Sequence, residues 1–92
     1  MQIGAIHRIR DREAWDRVFF TYDPSQLPEG VTLISSVTSS DVTKAICVWD
    51  APNAEQMQAY LDEMFSDSAD NEAFALDPQR SLGVSAPAAA QV

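Results

Sequence analysis

The sequence is poor in cysteine, glycine and histidine: its 92 residues include one cysteine, three glycines and one histidine. The single cysteine, Cys47, has no partner for a disulfide within the chain, which is typical of proteins in a reducing compartment. Three glycines are too few for the glycine-rich fingerprint of a dinucleotide site. The sequence also has no phosphate-binding loop, no Gly-x-Ser-x-Gly elbow, and no Cys-x-x-Cys or His-Glu-x-x-His pair. We therefore predict no cofactor and no metal.

Basic residues and long apolar segments are also scarce. Six lysines and arginines stand against 14 aspartates and glutamates, which gives a net charge of -8 and an isoelectric point near 4.2. Because phosphates bind to basic surfaces, we expect neither nucleic acid nor an anionic membrane as a partner. No apolar run approaches the roughly 18 residues that a membrane-spanning helix requires, and residues 1–10 do not resemble a secretory signal. These observations predict a cytoplasmic protein.

The charges are unevenly distributed along the chain. Four of the six basic residues lie in residues 8–17, whereas residues 45–79 contain no lysine or arginine and eight acidic residues. One interpretation is a solvated acidic helix face, which is the usual role of such a run. The other is an acidic patch that contacts the arginine-rich segment of a second subunit.

Alternation and helical spacing define the secondary structure of the N-terminal half. Residues 2–10 alternate between two faces, as a strand does. On one face lie Ile3, Ala5, His7 and Ile9. A helix is predicted over about 12–20, where Asp11 is a favourable N-cap. Residues 31–38 and 42–50 are predicted to form an antiparallel hairpin, because both are rich in strand-forming residues and a short polar link joins them.

The C-terminal half is predicted to hold one long helix and two shorter elements. The helix begins at Asn53, the expected N-cap, and continues to Phe65 with apolar residues three and four apart. Residues 71–76 are predicted as one more short helical turn, and residues 80–84 as a short final strand. The alanine-rich segment 85–92 is predicted to be a disordered tail.

This order of elements, β-α-β-β-α-β, predicts a single ferredoxin-like domain of the α+β class over residues 1–84. Such a domain has a four-stranded antiparallel sheet with two helices on one face, and its other face is uncovered. Apolar residues occur on both faces of the predicted strands, since Ile6 opposes Ile3 and Val48 opposes Trp49. Because the chain has no residues left to cover the second face, we predict a homodimer in which two sheets pack together.

Two segments of the sequence resemble a known superfamily. The run from His7 to Trp15 has a His-x-aliphatic-x-Asp-x-x-x-Trp pattern that crosses from strand into helix. It resembles the first element of small proteins in the dimeric α/β-barrel superfamily, which includes relatives of the antibiotic biosynthesis monooxygenases. The segment Val48-Trp49-Asp50, followed by an asparagine-capped amphipathic helix, is similar to the second half of the same pattern. The similarity covers roughly residues 1–84.

The resemblance implies a homodimer whose two sheets face each other around a shared cavity and form an α/β barrel. Characterised members of the superfamily include cofactor-independent oxygenases of aromatic polyketides, cyclases, haem-degrading enzymes, and decarboxylating or isomerising enzymes. None of their catalytic residue sets matches this chain residue by residue. The resemblance therefore implies an architecture and assigns no catalytic role.

His7 is the candidate catalytic residue, because it is the only side chain whose ordinary pKa lies near neutrality. In a cavity it is suited to act as a general base on an acidic phenol or on the α-proton of a carbonyl compound. The alternative is a structural histidine that is hydrogen-bonded at the dimer interface.

Ser35, Cys47 and Trp49 are the candidate pocket residues. A serine hydroxyl can line a cavity wall, and Trp49 ends its strand where it either lines a cavity mouth or seals the core. Cys47 is either a small buried apolar residue or a nucleophile, and a nucleophile requires a nearby base. Alternation by itself does not place His7 beside Cys47.

Two functions from different classes follow from these features. The first is a small cofactor-independent enzyme, of the oxygenase, cyclase or isomerase type, that acts on a small aromatic or polyketide-like compound in the inter-sheet cavity of a homodimer. The second is a non-catalytic dimer that binds a ligand or a protein. The sequence has no recognisable set of catalytic residues, which favours the non-catalytic dimer. The resemblance to the superfamily and the presence of His7 favour the enzyme.

Overall fold

The predicted order of strands and helices is present in a computed structural model, which describes residues 1–83. The elements are β1 (Gln2–Ile9), α1 (Arg12–Phe20), β2 (Thr32–Thr38), β3 (Lys44–Asp50), α2 (Ala54–Met64) and β4 (Ala69–Ala75). Two short 3-10 turns, Pro24–Gln26 and Pro78–Arg80, follow α1 and β4. Neither α1 nor α2 has the length and apolar character that crossing a membrane requires.

Within the described residues, the four strands form one antiparallel sheet in the order β2-β3-β1-β4. β1 is therefore a central strand, and β3 separates it from β2. The α+β class, the antiparallel sheet and the two helices are confirmed. The architecture is compatible with the ferredoxin-like prediction.

Both helices begin at the residues that the sequence predicts as N-caps. The Asp11 carboxylate accepts a hydrogen bond from the Ala14 backbone N–H at 3.2 Å. The Asn53 side-chain oxygen accepts one from the Gln56 backbone N–H at 2.8 Å. Each cap satisfies a backbone donor that the first helical turn leaves without a partner inside the helix.

The core lies between the helices and one face of the sheet. Trp15 of α1 and Leu61 of α2 pack with inward-facing strand residues such as Ile3 and Cys47. His7 is on the same face as Ile3, as the alternation of β1 predicts, and it is fully buried. Alternation left open which face of the sheet this is, and the structure places it toward the helices. The packing of these apolar groups out of water supplies most of the stability of such a domain.

Residues 71–76 are not a helical turn; the prediction was wrong. They belong mostly to β4, which pairs along its length with β1, for example Ala73 with Ala5 and Asn71 with His7. A six-residue segment is too short for its periodicity to separate helix from strand. The free edge of β1 decides the outcome, because its backbone groups need partners that a strand supplies and a helix does not.

The predicted final strand over residues 80–84 is also absent among the described residues. Pro78–Arg80 is a 3-10 turn, which starts where the Asp77 carboxylate accepts from the Gln79 backbone N–H at 2.9 Å. Proline donates no backbone hydrogen bond, so it suits a turn better than a sheet. Val84 and the predicted tail, 85–92, lie outside the described residues.

A bulge in β2 changes which of its side chains face the helices. Leu33 pairs with Trp49, but Ser35 pairs with Val48 and Ser36 with Cys47, so Ile34 is an extra residue. Simple alternation had placed Leu33 and Ser35 on one face. Because directly paired residues share a face, the bulge puts Ser36 beside Cys47 on the helix-covered face.

Candidate functional site

A cavity of about 480 Å³ lies between α1 and the β2–β3 part of the sheet, and the end of α2 closes one side. Its walls are largely aromatic: Trp15, Phe19, Tyr22, Trp49 and Phe65. Ser36 and Cys47 provide polar side chains at the sheet. Ser35 also borders the cavity, but it pairs with Val48 and its exposed side chain is on the opposite face of the sheet. This composition, an apolar cleft with a few clustered polar groups, is typical of sites for small organic molecules.

The three candidate pocket residues, Ser35, Cys47 and Trp49, all line this cavity. It lies inside one subunit, on the helix-covered face of the sheet, whereas the sequence-based hypothesis placed the pocket between two sheets. His7 does not line the cavity itself. Its ring lies behind Cys47, in the layer between the sheet and the helices.

His7 is held by hydrogen bonds at both ring nitrogens. Nδ1 is 2.7 Å from Asn71 Oδ1, and Nε2 is 3.2 Å from Cys47 Sγ. The Asn71 amide nitrogen donates to the Leu61 backbone oxygen at 3.2 Å, which orients the amide oxygen toward the imidazole. His7 Nδ1–H therefore donates a hydrogen bond to Asn71 Oδ1. In this tautomer of neutral His7, the unprotonated Nε2 faces the thiol.

These contacts form a polar chain of four side chains, one from each strand of the sheet. From Asn71 on β4 it runs through His7 on β1 and Cys47 on β3 to Ser36 on β2, whose Oγ is 3.2 Å from Cys47 Sγ. The chain begins beneath α2 and ends at the cavity wall. It thus connects a buried base to the cavity through the Cys47 thiol.

Burial keeps both titratable members of the polar chain uncharged near neutral pH. The His7 ring packs against Trp15 and Phe65, with ring centroids 5.3 Å and 5.2 Å away. This burial lowers the pKa of His7, and the hydrogen bond to Asn71 opposes the shift. Burial raises the pKa of the Cys47 thiol, and Ser36 opposes that shift. The resting pair is therefore a neutral thiol beside a neutral imidazole.

Trp49 contributes a second polar feature to the cavity. Its side chain is almost completely buried, yet its indole Nε1–H has no hydrogen-bond partner among the described residues. Buried donors are nearly always paired in folded proteins, and an unpaired one costs about 1–3 kcal/mol. Trp49 is also one of the residues that line the cavity, so this unpaired donor belongs to a cavity-wall side chain.

A second cavity of about 360 Å³ adjoins the aromatic one, with Val18, Tyr22 and Met64 in the lining of both. It lies between the C-terminal part of α1 and α2, and Arg17 and Asp67 make its lining more polar. These three side chains therefore form the boundary between the two cavities.

Sequence reasoning missed Asn71, which it placed in a helical turn, and it did not link Ser36 to Cys47. Both residues do follow the inward alternation of the strands observed here. What the sequence lacks is the register between strands, which brings four residues from distant positions together.

Metal binding has no support in the part of the chain that the structure describes. Residues 1–83 contain no group of three or more histidine, cysteine, aspartate or glutamate side chains arranged to hold a metal ion.

Comparisons with protein-family models, curated proteins and solved structures found no match for this chain. Its function must therefore be argued from the cavity and the polar chain.

The pKa of His7 leads to a prediction about stability. Unfolded His7 takes up a proton near its ordinary pKa of 6.5, whereas folded His7 resists protonation because its pKa is lowered. Below about pH 6.5 the unfolded state binds more protons, so the free energy of unfolding is expected to fall as pH decreases. Urea denaturation at several pH values between about 5 and 8 measures this fall in the free energy of unfolding.

The control for this measurement is the His7→Gln variant, which has no imidazole to titrate. Carboxylates contribute equally to both proteins, so the wild-type curve is expected to lose stability more steeply toward acid pH. Parallel curves for the two proteins would show that His7 is protonated equally easily in the folded and unfolded chains.

Proposed function

We propose that this chain is a small enzyme of the cofactor-independent oxygenase, cyclase or isomerase type, acting on a small aromatic or polyketide-like compound in the cavity between α1 and the sheet. The observation that carries the proposal is the buried His7, hydrogen-bonded to a thiol in the wall of an aromatic cavity. A buried base at the end of a hydrogen-bonded chain, next to an apolar pocket, is an arrangement suited to proton transfer.

The chemical step that these reaction types share is removal of a proton from a phenol or from a carbon beside a carbonyl group. His7 Nε2 reaches a bound compound through Cys47: the sulfur takes the substrate proton while its own proton moves to Nε2. The substrate becomes an anion and His7 becomes a cation. Asn71 stabilises that cation, because its Oδ1 accepts a hydrogen bond from Nδ1–H, with the two heavy atoms 2.7 Å apart.

The cavity walls favour a flat, apolar substrate with a polar oxygen. Five aromatic side chains surround a space that lies in the normal range for small-molecule sites. The indole N–H of Trp49 supplies a donor for a carbonyl or phenolate oxygen, where negative charge develops after proton loss. The protein's net charge of -8 makes strongly anionic substrates poor candidates.

We further propose that the chain forms a ferredoxin-like homodimer of the dimeric α/β-barrel type, in which two sheets pack through their uncovered faces. We define this open face by Ile6, Val37, Ile46 and Phe74. Val37 and Ile46, which pair across the β2–β3 ladder, keep 62% and 53% of their surface exposed. Adjacent exposed apolar residues on a sheet mark an interaction surface.

Charge on the open face supports a second copy as the occupant. Lys44 and Asp50 lie at opposite ends of β3, on the same side as Ile46, and both are exposed. A two-fold axis between the sheets and perpendicular to the strands places the Lys44 end of one β3 against the Asp50 end of the other. A two-fold interface needs such self-complementarity. The face then meets its copy with opposite charges around an apolar centre.

Ligand binding can be tested by tryptophan fluorescence, because both tryptophans of the chain, Trp15 and Trp49, line the cavity. Hydroxylated naphthalenes are suitable probes, with matched hydroxycyclohexanes as controls that lack the flat ring. We expect quenching by the aromatic compounds, and weaker binding in a Trp49→Phe variant because it lacks the indole donor. No quenching by any aromatic probe, and no small molecule retained on the purified protein, would contradict the proposal.

Turnover separates the enzyme from a non-catalytic binding module. For a probe that the wild type converts, His7→Gln is expected to lower kcat at least about 100-fold while the probe still quenches fluorescence. Conversion is followed by absorbance and product mass. Binding by the wild type without conversion of any probe would instead favour the binding module.

A further inference from the structure

We propose that Cys47 is a nucleophile that adds reversibly to the β-carbon of an α,β-unsaturated carbonyl compound bound in the aromatic cavity, with His7 as its base and the Trp49 indole N–H as the donor to the carbonyl oxygen. The proposal shares its cavity with the proposed function. It does not depend on the proton-transfer reaction, because here the sulfur forms a bond to carbon.

Three side chains supply the parts that a cysteine nucleophile requires. Cys47 Sγ is 3.2 Å from His7 Nε2, and His7 Nδ1 is 2.7 Å from Asn71 Oδ1. A thiol, an imidazole base and an amide that orients the base occur in this sequence of contacts in cysteine enzymes of unrelated folds. Asn71 is a positioning residue, since it contacts the imidazole but neither the Cys47 sulfur nor the cavity.

The reaction needs no oxidant or further reactant. Sulfur forms a bond to the β-carbon, the electrons of the C=C bond move to the carbonyl oxygen, and the thiol proton passes to His7 Nε2. The imidazolium then gives that proton to the α-carbon, which yields a thioether and restores neutral His7. The reverse sequence releases the compound unchanged.

Trp49 is placed to stabilise the charge that forms in this step. Cys47 and Trp49 are two residues apart on β3, on the same face, so their backbones are about 7 Å apart. The unpartnered Nε1–H of Trp49 is an independent sign of a missing acceptor. The oxygen of an enone becomes negatively charged as sulfur adds, and a buried donor stabilises such an oxygen most strongly.

Burial decides which electrophiles can react. Cys47 is only 3% exposed, and its side chain contributes to the cavity wall, so a reagent must enter the cavity to reach the sulfur. The aromatic walls accept a flat neutral molecule and disfavour a carboxylate, which loses its hydration there. Selective labelling by apolar aromatic enones is therefore the signature of this site.

The test compares N-phenylmaleimide with 4-maleimidobenzoate, which differ by one carboxylate, in labelling Cys47 as followed by intact mass spectrometry. In the folded wild type we expect the neutral reagent to react at least about tenfold faster, and we expect the preference to disappear in denaturant, where the cavity is lost. Non-reactive N-phenylsuccinimide is expected to slow the labelling by competition. Equal native rates, or no competition, would overturn the proposal without any variant.

The pH dependence of labelling tests the roles of His7 and Asn71. With His7 as base, the wild-type rate is expected to change little between about pH 6 and pH 8, whereas in His7→Gln it rises about tenfold per unit with the thiolate fraction. In Asn71→Ala the labelling rate is expected to rise more steeply with pH than in the wild type, and so to approach the behaviour of His7→Gln. Circular dichroism verifies folding, and Phe20→Ala, at an exposed site outside the cavity lining, serves as the control.

The outcomes of this test are distinct from those of the proposed function. If the labelling rate of the wild type rose with pH as steeply as that of His7→Gln, His7 would not be the base, and the proposal would be overturned. Selective, His7-dependent labelling of a protein that converts no aromatic probe would support the nucleophile and contradict the proton-transfer enzyme. Turnover without selective labelling would support the enzyme and contradict the nucleophile.

Discussion

Replacing Ile46 with glutamate is expected to convert the proposed dimer into a monomer. Ile46 is on the open face, where it pairs with Ile6 on one side and Val37 on the other. A dimer would bury two new carboxylates without partners, and each uncompensated buried charge costs several kcal/mol. Since about 1.4 kcal/mol is a factor of ten, the dimerisation constant should weaken at least about 100-fold. Sedimentation equilibrium at micromolar concentrations measures the change.

The matched control is Phe20→Glu. Phe20 is 77% exposed at the end of α1, on the helix side of the sheet, so the same charge there should leave the dimer intact. A monomeric wild type at micromolar concentration would remove the basis for the dimer. A dimeric Ile46→Glu protein would show that the subunits associate through a different surface.

Trp15→Ala is expected to cause the largest loss of stability among single substitutions outside the sheet. Trp15 is almost fully buried, stacks on Phe65 at a centroid distance of 4.9 Å and packs on the His7 ring. Truncating a buried tryptophan removes apolar burial and leaves a void, which typically lowers the free energy of unfolding by about 3–5 kcal/mol. Urea denaturation followed by circular dichroism gives the value.

Two comparisons make this result specific to the packing of Trp15. Trp15→Phe retains an aromatic ring and should recover part of the loss, whereas Phe20→Ala, at an exposed position of the same helix, should stay within about 0.5 kcal/mol of the wild type. A loss of less than about 1 kcal/mol for Trp15→Ala would mean that the helix does not rely on this side chain.

Local signals were reliable where one residue or one period determines the structure. The caps at Asp11 and Asn53 were predicted from residue type, because a short side-chain oxygen before a helix pairs with its free backbone donors. Alternation also grouped His7 with Ile3 and Ala5 on one face of β1, although it did not decide which face of the sheet that is. The same signals failed at residues 71–76, where a strand forms because β1 offers an unpaired edge.

The candidate site was only partly predictable. Ser35, Cys47 and Trp49 do line one cavity, but its location beneath α1 depends on how the helix packs over the sheet. The contact between His7 and Cys47 depends on the register of β1 with β3, in which His7 pairs with Ala45 and Ala5 pairs with Cys47. A shift of this register by one residue would turn one of the two side chains to the other face.

Residue type and spacing therefore determined the α+β class, the order of elements, the helix caps and the set of β1 residues that share a face with His7. Each of these depends on interactions between residues close in the chain. Tertiary structure alone decided the β2 bulge, the strand at Ala69–Ala75 and the polar chain from Asn71 to Ser36. These features depend on hydrogen bonds between residues 11–64 positions apart, and local patterning carries no information about such pairings.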